Sequence, residues 1–195
     1  MAGSPNNTFF DSEPGGRKAA PGPLALVQAF VNTLEAERRW EVLDGPDALR
    51  RWFAGRGIPV GGQVNEADVE HAREVREALR ALLAANNGAG VDEGVIRTLN
   101  LASRRAGLTV AFGVDGRATL EPAAGGVDGA LGWVLASVHA AMEDGTWGRL
   151  KTCRHRVCSW AFYDHSKNRS GRWCSMTLCG NRKKTRDYRQ RRRPA

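Results

Sequence analysis

The stretch CRHRVCSWAFYDHSKNRSGRWCSMTLC, residues 153–179, holds every cysteine of this 195-residue chain, and its spacing decides how the C-terminal part folds. The four thiols form two short-spaced pairs, Cys153 with Cys158 and Cys174 with Cys179, each pair enclosing four residues. Thiolates at the mouths of two short loops can converge on one Zn²⁺ at about 2.3 Å, and four of them complete its tetrahedral sphere. No position is then left for a reacting water, so the expected ion is a single structural zinc held by Cys153, Cys158, Cys174 and Cys179. Two disulfides would use the same residues but require an oxidising compartment.

Around the cysteines the pattern reads as knuckle, hairpin, helix. Trp160 and Phe162 alternate with small or polar residues over 159–164, residues 165–171 form a polar turn, and Arg172, Trp173 and Cys174 follow. Ser175 suits a helix N-cap, which predicts one helix over 176–193 with Cys179 in its first turn. Such an order describes a treble-clef-like zinc module. Gly180 costs about 1 kcal/mol in a helix relative to Ala, so it is expected where a side chain would collide with the knuckle or block a close approach.

Charge divides the chain at the same place. Residues 151–195 carry 14 Lys and Arg against Asp164 and Asp187, a net +12, whereas the preceding 150 residues net −4. A basic module on a mildly acidic body points to a polyanionic partner for the module and a separate task for the body. A helix over 176–193 would set Arg182, Arg186 and Arg189 along one side, with Lys183, Lys184, Arg191, Arg192 and Arg193 widening the stripe and Arg172 at its approach.

Upstream, residues 1–23 are rich in Gly, Pro, Ser and Asn and read as disordered. Leu26, Phe30 and Leu34 stand at helical spacing, and Asp47 can cap a short helix carrying Leu49, Trp52 and Phe53. The strongest helix runs from about Asn65 to Ala85, with Val69, Val75, Leu79, Leu82 and Leu83 on one face, and ends at Asn86, Asn87 and Gly88. Asp92 caps another, carrying Val95, Ile96, Leu99 and Leu101. Two β-prone runs flank Asp115-Gly116 as a hairpin, and a last helix spans about 128–144. The expected fold is therefore mainly α with a small β-hairpin over residues 24–148, plus the zinc module over 149–195, joined by a linker near 145–150.

Residues 158–184, with the run Cys179-Gly180-Asn181-Arg182, resemble the CGNR zinc finger. Residues 24–33 and 76–83 are similar to the ABATE domain that accompanies this finger in bacterial stress-induced transcription regulators. Many members place two residues between the first two cysteines; here there are four. The resemblance implies a zinc-dependent DNA-binding regulator whose body senses a small-molecule effector or forms a homodimer; the N-terminal residues, without a charged start and apolar stretch, lead to the expectation of a cytoplasmic location. Phe30, Asn32, Thr33 and Arg76 fall in the family-like segments; they are candidates for lining an effector pocket, and the alternative is a structural role, with a buried Asn that caps or bridges helices.

Two other functions use the same residues. Trp160, Phe162, Tyr163 and Trp173 would stack on unpaired bases if the module bound RNA or a single strand. His155, His165 and Asn168 would serve a nuclease, but that chemistry needs a second, open metal site, and residues 176–193 hold no His and only Asp187. No phosphate-binding Gly loop or nucleophile elbow is present, so the chain is read as a non-enzyme. No run reaches membrane-spanning length, and no membrane partner is expected.

Overall fold

The computed structural model describes residues 14, 16–182, 184 and 185. Helix α1, Leu24–Val31, buries Leu24, Val27, Phe30 and Val31. The chain then turns through the two-residue strands β1, Leu34–Glu35, and β2, Trp40–Glu41, a pairing the helical spacing of Leu34 does not foretell. Helix α2, Pro46–Ala54, begins after Gly45, with Pro46 in its first turn and Asp47 beside it rather than capping it. Phe30, Trp52 and Phe53 stack with centroids 4.9–6.0 Å apart and join α1 to α2.

Helix α3, Glu66–Ala85, is the central element and touches α1, α2, α4, α5 and β5 as defined below. Its start is fixed by a reciprocal cap: the Asn65 carboxamide accepts from the Asp68 N–H at 3.1 Å, and the Asp68 carboxylate accepts from the Asn65 N–H at 2.9 Å. Val69, Ala72, Val75, Leu79 and Leu83 form its buried stripe. Helix α4, Glu93–Ala106, starts at the Asp92 cap and stops at Gly107 in the left-handed region. Ile96 and Leu101 on this helix are exposed, and Ala102 and Ala106 are buried. Small side chains let α4 approach its neighbours closely.

Strands β3, Leu108–Phe112, and β4, Ala118–Pro122, form the hairpin around Asp115-Gly116, with Val110 opposite Leu120. Helix α5, Gly126–Glu143, lies against β4 because Gly132 has no side chain; a Cβ there would sit 2.6 Å from Pro122 Cβ and 2.9 Å from Ala106 Cβ.

A 3₁₀ turn, Trp147–Arg149, leads into strand β5, Leu150–Thr152, which pairs antiparallel with β6, Ala161–Tyr163. The first two cysteines sit between these strands. The hairpin therefore flanks the knuckle instead of following it, and residues 164–173 are loop. Side chains alternate along β6, so Ala161 and Tyr163 enter the core of the body while Trp160 and Phe162 face the cysteines. Trp147 and Leu150 are buried in that same body core, so the expected linker at 145–150 is instead a packed junction.

Candidate functional site

The four cysteine sulfurs lie within 4.8 Å of one another, and all four cysteines are free of disulfides. Cys158 Sγ and Cys174 Sγ are 3.6 Å apart, as are Cys174 Sγ and Cys179 Sγ. A disulfide requires about 2.05 Å, whereas a tetrahedron with 2.3 Å metal–sulfur bonds has edges of about 3.8 Å. The spacing fits one zinc ion. Hydrogen bonds from Cys158 and Cys174 hold the Cys153 thiol far below its ordinary value, and the same sharing pushes those two thiols up. Burial raises Cys179 as well. Thiols this crowded can all ionise only with a cation between them.

Local bonds explain how each cysteine is placed. Cys153 N donates to the Trp160 carbonyl at 2.9 Å, and Cys158 N to the His155 carbonyl at 2.9 Å, which closes the knuckle. Arg154 Nε donates to the Asn87 carbonyl at 2.6 Å and ties the knuckle to the end of α3. On the other side, Ser175 Oγ accepts from Leu178 N at 3.2 Å and caps a wide π-type turn, Met176–Gly180, which carries Cys179 and continues helically at Asn181, Arg182, Lys184 and Thr185. A Cβ on Gly180 would meet the Met176 thioether at 3.0 Å and Trp173 at 3.6 Å, so its neighbours are these side chains and not the knuckle. Asn181 donates to the Thr177 carbonyl at 3.2 Å and serves the turn.

Beneath the loop, Asp164 is 1% exposed and Lys151 4%, and they pair at 2.9 Å. Asp164 also accepts from Gly171 N at 2.7 Å and Ser166 N at 3.1 Å. Burial raises its pKa, but the bonds from Lys151, Ser166 and Gly171 outweigh this and hold the carboxyl well below the usual carboxylate range. The sequence reads Asp164 as a partner for Arg172 or as a turn-former, and its bond from Ser166 N fits the turn, whereas Arg172 is not its partner. Lys151 takes that place because it projects from β5 directly under the loop.

Of the residues expected to meet nucleic acid, Arg172, Arg182 and Lys184 are exposed on the module. Arg182 pairs with Glu37 of the body at 2.5 Å. Lys183, Arg186, Arg189, Arg191, Arg192 and Arg193 lie outside the described residues. Among the aromatic residues, Trp160 and Phe162 are buried and Trp173 half-buried in the module's own core, while Tyr163 is buried in that of the body.

Of the two readings of Phe30, Asn32, Thr33 and Arg76, the structural one matches their contacts. Asn32 Nδ2 donates to the Ala161 carbonyl at 2.9 Å, and Asn32 Oδ1 accepts from Ala161 N at 2.8 Å. Arg76 donates to Glu41 at 2.6 Å and to Thr33 Oγ1 at 3.2 Å, and Phe30 is fully enclosed. An open cleft of about 480 Å³ in the body lies elsewhere, between Ile58, Pro59, Trp133 and the start of α5.

Several docking residues carry only helix signals in the sequence. Asn86 Nδ2 reaches the Trp147 and Leu150 carbonyls at 3.0 and 2.9 Å, and Asn87 Nδ2 reaches those of Thr152 and Arg172 at 2.8 and 3.1 Å. Arg80 donates to the carbonyls of Ser159 at 2.8 Å and Val31 at 2.6 Å. Two consecutive Asn after a long helix are the signal that could have revealed the docking. A C-cap needs one such residue, not two.

The arrangement is a helical body onto which a four-cysteine zinc module is locked by buried side-chain-to-backbone bonds. A family model described as "Putative stress-induced transcription regulator", the ABATE domain, matches residues 24–144, and the CGNR zinc finger model matches residues 149–192. The first spans more than half of the chain, and the chain belongs to that family. No curated protein matches it at a significant level. No helix among the described residues is long and apolar enough to cross a membrane.

Proposed function

We propose that the chain is a zinc-dependent regulator that binds duplex DNA through its C-terminal module, in the reducing interior of a cell. The observation that carries this reading is the contrast on the module's surface. Among the described residues, its cations Lys167, Arg169, Arg172, Arg182 and Lys184 face solvent, whereas Trp160, Phe162 and Tyr163 are buried and Trp173 is half-buried. Exposed cations without exposed rings suit a phosphate backbone better than unstacked bases. Binding is favoured over catalysis because the four-thiolate set leaves a metal no open position and His165 is tied to the Lys18 carbonyl. The body takes the sensing role, with the cleft beside Trp133 as the place where an effector enters.

The test is a competition between duplex DNA, single-stranded DNA and RNA for the zinc-loaded full chain over a salt series. Preference for duplex, with a log–log salt slope corresponding to roughly four to eight phosphates, is expected. Tighter binding of single strands or RNA at matched salt would replace this reading.

A further inference from the structure

The segment before α1, read from sequence as part of a disordered terminus, is tied onto the zinc module at Arg17 and Lys18 and onto the body at Ala20. Arg17 Nη2 donates to the Trp173 carbonyl at 3.0 Å, and its guanidinium lies 4.9 Å over the Phe162 ring. The Lys18 carbonyl meets His165 Nε2 at 3.1 Å. Ala20 is buried, and its N–H donates to Gln28 Oε1 at 2.6 Å, while Gln28 Nε2 reaches the Ala161 carbonyl at 3.3 Å.

This strap delivers Arg17 to the rim of a cavity of about 330 Å³, whose walls also include Arg172, His165, Ser166 and Ser170. No carboxylate among the described residues forms an ion pair with Arg17 or Arg172. Asp164 lines the same cavity, but its charge is cancelled by Lys151 and its oxygens accept from Ser166 N and Gly171 N as well. The lining therefore carries two guanidiniums in excess, with hydroxyls and an imidazole beside them. Like charges gathered at one concavity repel unless an anion joins them, and the guanidinium fork matches a phosphate in geometry.

We propose that this cavity seats a phosphate group, gripped between Arg17 and Arg172. The phosphate comes either from a nucleic-acid backbone or from a free phosphorylated compound. The seat stands independently of the duplex reading; only its assignment to a duplex phosphate rests on that reading. In that case the interface extends beyond the basic segment after Cys179 to the opposite end of the sequence.

The experiment uses the zinc-loaded full chain. Inorganic phosphate is titrated against sodium chloride of matched ionic strength while the melting temperature is followed. The wild type should show a saturable rise specific to phosphate. Arg17→Ala and Arg172→Ala should each move half-saturation up by about tenfold or more, the loss of one charge-assisted bond, while the exposed Arg97→Ala leaves it unchanged. Arg172→Ala keeps the test decisive if Arg17→Ala loosens the strap, since Arg17 also holds the Trp173 carbonyl.

The second arm measures duplex DNA binding over a salt series. A slope smaller by about 0.9 in each variant assigns the seat to a backbone phosphate. An unchanged slope together with the phosphate effect assigns it to a free phosphorylated compound. Phosphate binding in a protein that ignores duplex altogether would leave the seat standing and overturn the duplex reading. No phosphate-specific rise in the wild type with unchanged slopes in both variants, or tighter duplex binding by Arg17→Ala, would overturn the seat.

Discussion

The carboxamide of Asn32 holds both backbone polar groups of Ala161, donating to its carbonyl at 2.9 Å and accepting from its N–H at 2.8 Å. A side chain thereby acts as one more strand against β6, and it does so at a site where both residues are buried.

Replacing Asn32 with Leu should destabilise the whole chain by about 2–4 kcal/mol, because a buried N–H is left unpaired and the carbonyl keeps only the 3.3 Å contact from Gln28. Urea denaturation measures this. A loss below about 0.5 kcal/mol would mean that water replaces both bonds and that the docking is weak.

Zinc removal should reach beyond the module. β6 contributes Ala161 and Tyr163 to the body core and Phe162, with the adjoining Trp160, to the zinc core, so one strand is a wall of both. Chelation, or Cys179→Ser, should therefore lower the melting temperature of the helical signal in a single shared transition. Calorimetry showing an unchanged body transition would reveal two independent units.

His71 lends the body a pH dependence. Burial, and then the charge of Arg105, push its imidazole below the ordinary value, against the opposing pull of Asp128, Glu74 and Asp68. The unfolded chain takes up its proton near pH 6.5, the native chain only at lower pH. Stability from this group is thus full above about pH 6.5 and lost as the pH falls toward the native value. His71→Gln should flatten the stability profile between about pH 8 and pH 5.5, where carboxylates contribute little. An unaltered slope in the variant would assign the dependence to other groups.

Glu37 competes with any polyanion for Arg182, since the two pair at 2.5 Å on an exposed surface. Glu37→Gln should leave stability almost unchanged and tighten duplex binding a few-fold, most at low salt. Equal affinity in both proteins, from fluorescence anisotropy, would show that Arg182 takes no part in binding.

The elements with local signatures are legible in the amino-acid sequence alone: the start of α3 near Asn65 and Asp68, the Asp115-Gly116 turn between β3 and β4, and the paired cysteines. Each is set by residues a few positions apart. The features that the sequence hides depend on distant partners. Strand β5 contains Lys151, whose burial makes sense only with Asp164 in place, so the Leu150–Thr152 segment does not read as a strand. Asn32, Thr33 and Arg76 stand out as polar residues in an apolar setting. From sequence, however, a carboxamide that binds a ligand and one that binds the chain's own backbone look alike. Arg17 is inconspicuous because it sits in a Gly- and Pro-rich segment whose order comes from Phe162 and Trp173, far along the chain.

The bond from Asn32 to Ala161 joins residues 129 positions apart, and this separation has a consequence for the order of events during synthesis. Helix α1 leaves the ribosome among the first elements, yet the strand that covers it is among the last. Until then Asn32 and the inner face of α1 lack that cover, and the nascent protein offers an incomplete core to chaperones and to other chains. Closure therefore waits on the knuckle, and metal supply once that segment has been made governs how long the newborn chain stays open.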